Sequence, residues 1–177
     1  MSLLKQLARD KATGEVAEIY GEIETTLGHV PEAFRILSAS PFLLRQQWDW
    51  VQYSMRHPTL SGALLASIRL LISNEHHCSY CIGLNASMLI NLYGHTASQV
   101  EALKRAPDTS PLPEREKAML LFALQSADHA ESINADDIAA LRQLGWNDRD
   151  MLDAASHAAR AVASDLIYNT FKLESDF

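Results

Sequence analysis

The sequence predicts an all-α fold, a multi-helix bundle, on three observations. Apolar residues recur at helical spacing in nearly every segment. No stretch alternates polar and apolar like a half-buried strand, and no Asn-Gly hairpin signal occurs. Helix start residues before the apolar stripes, and glycines after them, divide the 177 residues into eight or nine helices.

In chain order, residues 1–12 read as a loosely held lead-in. Thr13 caps a first helix whose stripe is Val16, Ile19, Tyr20 and Ile23, and Gly28 stops it. Pro31 opens a short segment through Leu37. Ser40-Pro41 repeats that start signal ahead of a longer amphipathic helix carrying Phe42, Leu43, Trp48, Val51 and Met55, which breaks before Pro58. Thr59 or Ser61 opens a fourth helix with Leu64, Leu65, Ile68, Leu71 and Ile72 inside. The next runs from Cys78 to about Tyr93, with Gly94 as its stop. Thr96 or Ser98 caps a short helix with Val100 and Leu103, and residues 106–113, with three prolines, form the clearest loop. Pro113-Glu114 starts a helix through Ala127 that buries Met119, Leu120 and 122–124. Asn134 caps another, ending at Gly145. Asn147 caps the last, where Met151, Leu152, Ala155, Ala158, Ala159, Val162 and Leu166 read as a small-residue packing face.

A chain of this length suits one domain over residues 1–177. Apolar residues at 47% and charged ones at 21% are ordinary for a soluble globular protein. The net charge of −7 argues against a non-specific hold on nucleic acid or an anionic membrane surface. The first ten residues are too polar for a signal peptide, and Arg69 interrupts the most apolar run, so a cytoplasmic protein is expected.

Chemistry concentrates in Ser73-Asn74-Glu75-His76-His77-Cys78-Ser79-Tyr80-Cys81-Ile82-Gly83-Leu84-Asn85. The only two cysteines form a C-x-x-C pair there. If a helix starts near Cys78, Cys81 lies one turn on, on the same face. The helix start carries unpaired N–H groups that favour thiolate over thiol, and His76 or His77 adds to that while Glu75 opposes it. Asn85, one turn beyond Cys81, faces the same place and can donate to sulfur. The spacing points to a dithiol that cycles with a disulfide. Two other readings compete. The cysteines can be buried apolar residues without chemistry. They can also bind zinc with one of His76, His77 or His95, but no second C-x-x-C or H-x-x-x-H closes a tetrahedral site. His29, His57 and His95 read as capping or exposed residues, and His129 and His157 as surface or core-edge ones. No phosphate loop or nucleophilic serine elbow appears.

Three stretches resemble the carboxymuconolactone decarboxylase/alkylhydroperoxidase D superfamily on its peroxidase-related side. They are Gly14–Tyr20 with Leu27–Arg35 and Ser40-Pro41, the helix leading into Cys78-Ser79-Tyr80-Cys81, and Leu144-Gly145-Trp146-Asn147-Asp148 before the Ala-rich last helix. The resemblance implies an AhpD-like helical bundle assembling as a homo-oligomer (trimer, hexamer or dimer). It implies a dithiol that reduces a small hydroperoxide and is recycled by a thiol or lipoyl-type reductant; no cofactor and no metal are expected. It also implies a proton relay through a Glu twelve residues before the first cysteine and a His four after the second. Here those positions hold Ala66 and Asn85. The expected catalytic set is therefore Cys81 as nucleophile, Cys78 as resolving thiol, His77, or His76, as the group lowering the thiol pKa and Asn85 as the residue positioning the sulfur. A helical oligomer that keeps the fold without enzymatic activity, its cysteines structural or only redox-responsive, is the alternative.

Overall fold

A computed structural model describes residues 2–175. Among them are nine α-helices, four short 3-10 turns and no strand. The chain divides into two compact units, one formed by the chain up to Arg56 with the segment from Tyr168, the other running from His57 to Ile167.

In the first unit, α1 (Gly14–Leu27), α2 (Glu32–Arg35) and α3 (Pro41–Met55) enclose Val16, Ile19, Tyr20, Ile23, Phe34, Leu44 and Trp48. Gly28 ends α1 in the left-handed conformation (φ 82°) that glycine adopts without steric cost. Trp48 is fully buried, yet its indole N–H reaches Glu22 Oε2 at 2.9 Å, and its ring meets Phe34 edge-on with centroids 5.6 Å apart. The buried face of α3 is Leu44 and Trp48, whereas the expected Phe42, Leu43 and Met55 are exposed. Residues 2–12 are tied down by side chains: Leu7 N–H donates to Ser38 Oγ (3.1 Å) and Tyr20 Oη donates to the Leu7 carbonyl (3.2 Å).

In the second unit, α4 (Gly62–Glu75) is the central rod. Nine of its residues are buried on all sides, from Leu64 to Ser73, as expected of a helix that is apolar all round. Ser61 caps it by accepting from Leu64 N–H (3.1 Å). Around it lie α5 (Ser79–Asn91), α6 (Ala97–Arg105), α7 (Glu114–Asp128), α8 (Ala135–Gln143) and α9 (Asp148–Thr170). Thr96–Gln99 and Asn134–Asp137 form reciprocal capping boxes that start α6 and α8. Gly62 sits where any side chain is excluded: a Cβ there would lie 2.2 Å from Tyr93 Oη and 2.6 Å from Tyr93 Cζ. That close approach brings the start of α4 onto the chain just after α5. The side chain of His57, expected at a helix end as a cap or exposed group, is almost completely buried, and its Nε2 pairs with Asp153 at 3.0 Å.

The buried face of α9 differs from the expected one. Within this unit it consists of Asp150, Met151, Ala154, His157, Ala158, Ala161 and Asp165, while Leu152 and Leu166 point outward. The helix therefore presents three titratable groups inward, Asp150, His157 and Asp165. No helix of the described residues is long and apolar enough to cross a membrane.

Candidate active site

The turn between α4 and α5 places the cysteines. The backbone carbonyl of Ser73 accepts from Cys78 N–H (3.0 Å), and His77 takes the left-handed conformation at φ 54°, which reverses the chain within four residues. Cys78 is then the N-cap of α5 and Cys81 sits in its first turn. Both are free thiols; Cys78 is 1% exposed and Cys81 8%.

A carboxylate completes the cluster. Asp165, 1% exposed on α9, lies beside both cysteines, and the two sulfurs and a carboxylate oxygen are all within 4.8 Å of one another. Ser73 Oγ donates to Asp165 Oδ1 at 3.0 Å, and Oδ2 is buried without a hydrogen-bond partner. Burial raises the Asp165 pKa, opposed by hydrogen bonding from Cys81, Ser73 and Cys78 and by the charge of His76. Cys81 is raised strongly, first by its hydrogen bond to Cys78, then by burial and by the Asp165 carboxylate. Asp165 and Cys81 are thus both pushed toward their protonated, neutral forms.

Facing them is a cation. Arg69, on α4, keeps a small exposed surface, but its desolvation is large enough to lower its pKa to about 10, partly offset by Tyr93 and Cys81. Its partners are neutral: Nε donates to Asn85 Oδ1 (2.7 Å), Nη1 lies 2.9 Å from His157 Nε2, and Nη2 reaches Met88 Sδ at 3.8 Å. No carboxylate of the described residues forms an ion pair with it. Burial, then the Arg69 charge, lowers the His157 pKa to about 3, so its Nε2 is a neutral acceptor. The groups whose negative charge would act on Arg69 are Tyr93 and Cys81.

The expected site residues fall as follows. Cys78, Cys81 and Asn85 come together. Asn85 is buried, but its amide donates to the Cys81 carbonyl (2.8 Å) rather than to sulfur, so it positions the first turn of α5. His77 is exposed on the outside of the turn, and the imidazole whose charge acts on Asp165 is that of His76. Glu75 is exposed, and Ala66 is fully buried in the apolar core. Asp165, Ser73, Arg69 and His157 enter the site without having been assigned a role in it from the sequence. One signal was available for two of them: Arg69 and Ser73 are polar residues in α4, a helix that is otherwise apolar nearly all round.

No family model and no curated protein matches this sequence. Solved structures do. An uncharacterized peroxidase-related protein from Ralstonia eutropha JMP134, described as an alkylhydroperoxidase AhpD core, superposes with a TM-score of 0.85 at 23% identity, over 99% of this chain and 92% of that one. The chain has the AhpD-like fold. An uncharacterized peroxidase-related protein from Silicibacter sp. TM1040 shares this AhpD-like arrangement, with a TM-score of 0.83 at 22% identity over 98% and 91% of the two chains. A cysteine-to-alanine variant of the debrominase Bmp8, in complex with 2,3,4-tribromopyrrole, matches with a TM-score of 0.76 at 15% identity over 99% and 94%.

Proposed function

We propose that this AhpD-like chain is a thiol-dependent oxidoreductase that reduces a small hydroperoxide, with Asp165 as its proton-transfer group. The observation that carries the reading is the Asp165 carboxylate beside both sulfurs, in a chain whose expected relay positions are Ala66 and Asn85. A carboxyl with a raised pKa is better matched to accept and return a proton than an ordinary one.

The proton of Cys81 passes to Asp165, leaving a thiolate opposite the Arg69 guanidinium. Of the two sulfurs, Cys81 has the greater exposure and is the one to attack. The thiolate takes the distal peroxide oxygen, the O–O bond breaks, and Asp165 protonates the leaving alkoxide, giving a sulfenic acid and an alcohol. The Cys78 sulfur then displaces water from the sulfenic acid, and a Cys78–Cys81 disulfide forms. A small dithiol, of lipoyl or simple thiol type, returns the two electrons. Assembly into a homo-oligomer is part of the same proposal, and sedimentation of the folded chain tests it.

The reduced protein should consume one equivalent of tert-butyl hydroperoxide before any reductant is added, with a two-proton mass loss per chain. Cys81→Ser should abolish consumption. Cys78→Ser should stop the reaction at sulfenic acid, trapped by dimedone. Peroxide left unconsumed by a folded, fully reduced chain would overturn the reading and favour an inert helical oligomer.

A further inference from the structure

We propose that the reduced site also binds a thiophilic divalent cation, zinc above all, through Cys78 Sγ, Cys81 Sγ and Asp165 Oδ2. Three residues fall short of a closed structural site and match the three protein ligands of an open one.

Geometry comes first. At usual Zn–S and Zn–O lengths, ligand atoms around a tetrahedral zinc stand ~3.5–3.8 Å apart. The two sulfurs and one Asp165 carboxylate oxygen already lie within 4.8 Å of one another, so closing around an ion takes about an ångström of side-chain movement. The second support is the carboxylate. Asp165 is buried, Ser73 holds Oδ1 at 3.0 Å, and Oδ2 has no hydrogen-bond partner. A ligand oxygen left open while its twin is anchored is the arrangement expected of an oriented metal ligand. Charge is the third. Two thiolates and a carboxylate around a divalent ion carry one net negative charge, and Arg69, whose hydrogen-bond partners among the described residues are Asn85, Met88 and neutral His157, supplies the compensating positive one. Two sulfur ligands select zinc, cadmium or cobalt over magnesium or calcium. The fourth position falls to water, since the three ligands are the only grouping of this kind among the described residues.

Metal and disulfide are mutually exclusive. When a hydroperoxide oxidises the site, the two sulfurs give up one electron each and bond to each other. The O–O bond takes those two electrons and two solvent protons to become alcohol and water, and the ion loses both sulfur ligands and leaves. Zinc release thus reports oxidation, and bound zinc protects the dithiol. Binding itself does not depend on the protein being a peroxidase.

The test uses the reduced full-length chain titrated anaerobically with Co²⁺, then with Zn²⁺ in competition. One equivalent of Co²⁺ should give sulfur-to-cobalt charge-transfer absorption with tetrahedral d–d bands, displaced by Zn²⁺. Asp165→Asn, nearly the same size, should weaken binding by roughly ten- to a hundredfold or more, and Ser73→Ala by less. Diamide, which oxidises the dithiol whether or not the chain is a peroxidase, should release one zinc per disulfide to a chromophoric chelator. No uptake by the folded reduced chain would overturn the proposal. So would affinity unchanged in Asp165→Asn with native circular dichroism, the mark of adventitious dithiol capture.

Discussion

Lowering the pH from 7 to 4 protonates His157 in the unfolded chain but not in the folded one. The folded-state pKa lies near 3, depressed by burial, then by the Arg69 guanidinium, with smaller contributions from His57 and Arg160 and the Leu65 carbonyl opposing. An unfolded histidine titrates near 6.5. Between those values the unfolded state binds more protons, so stability is whole above about pH 6.5 and is lost as pH falls toward 3. At 1.36 kcal/mol per pH unit the limit is on the order of 5 kcal/mol, with about 3 kcal/mol gone by pH 4. That is a large share of a typical folding free energy of about 5–15 kcal/mol. Asp165 works the other way: its raised pKa lets the folded state hold a proton that the unfolded chain has released, so its contribution grows as pH falls. His157→Gln separates the two. The glutamine Oε1 keeps an acceptor for Arg69 Nη1, while Asp165 remains in both proteins. In urea unfolding followed by circular dichroism at pH 7, 6, 5 and 4, the variant should lose about 1.4 kcal/mol less than wild type for each unit below 6.5. Parallel curves for the two proteins would refute a buried neutral His157.

Asp165→Asn should lower the pH at which Cys81 becomes alkylatable, because a like charge is gone, and still slow hydroperoxide reduction by about 10²–10⁴-fold through loss of the proton acceptor. Stopped-flow rates that rise with the thiolate fraction would show that the carboxylate only repels. Gly62→Ala should destabilise by about 1–3 kcal/mol, since the added methyl meets the Tyr93 ring; Tyr93→Ala in the same chain should recover part of it in thermal melts. Met119→Ala, in the centre of the second unit's core, should cost about 2–5 kcal/mol by denaturant titration. Asn134→Ala, which breaks a capping box, should cost about 1 kcal/mol and raise amide exchange only in the first turn of α8.

Local signals carried the helices. Ser40-Pro41, Ser61, Thr96, Asn134 and the glycines at 28, 94 and 145 are start and stop residues whose chemistry acts within four residues, so element order could be read without tertiary information. Helix faces were less legible where apolar residues occupy more than one stripe. On α9 the alanines leave several stripes nearly equivalent in hydrophobicity. The observed face is set by what receives Asp165 and His157: the cysteine turn and Arg69, respectively. A periodicity argument weights buried polar residues against burial, so it turned this helix the wrong way. The dithiol itself was legible because C-x-x-C is a local pattern. Its carboxylate was not, because Asp165 lies more than eighty residues away in sequence and only packing brings it near.

The Arg69 side chain links α4 to α5 through Asn85 and to α9 through His157. This junction constrains how the site can change one substitution at a time. A histidine introduced at position 85, where the resemblance implies a relay imidazole, would meet a guanidinium already bonded to a second imidazole. The charge that keeps His157 unprotonated would act on the newcomer as well, and the Cys81 carbonyl would lose its amide donor. A working imidazole at 85 therefore requires Arg69 to be replaced first, and losing Arg69 alone removes a cation whose charge acts on Cys81. The two positions are epistatic, and the route between an imidazole relay and the Asp165 arrangement passes through a less fit intermediate in either order.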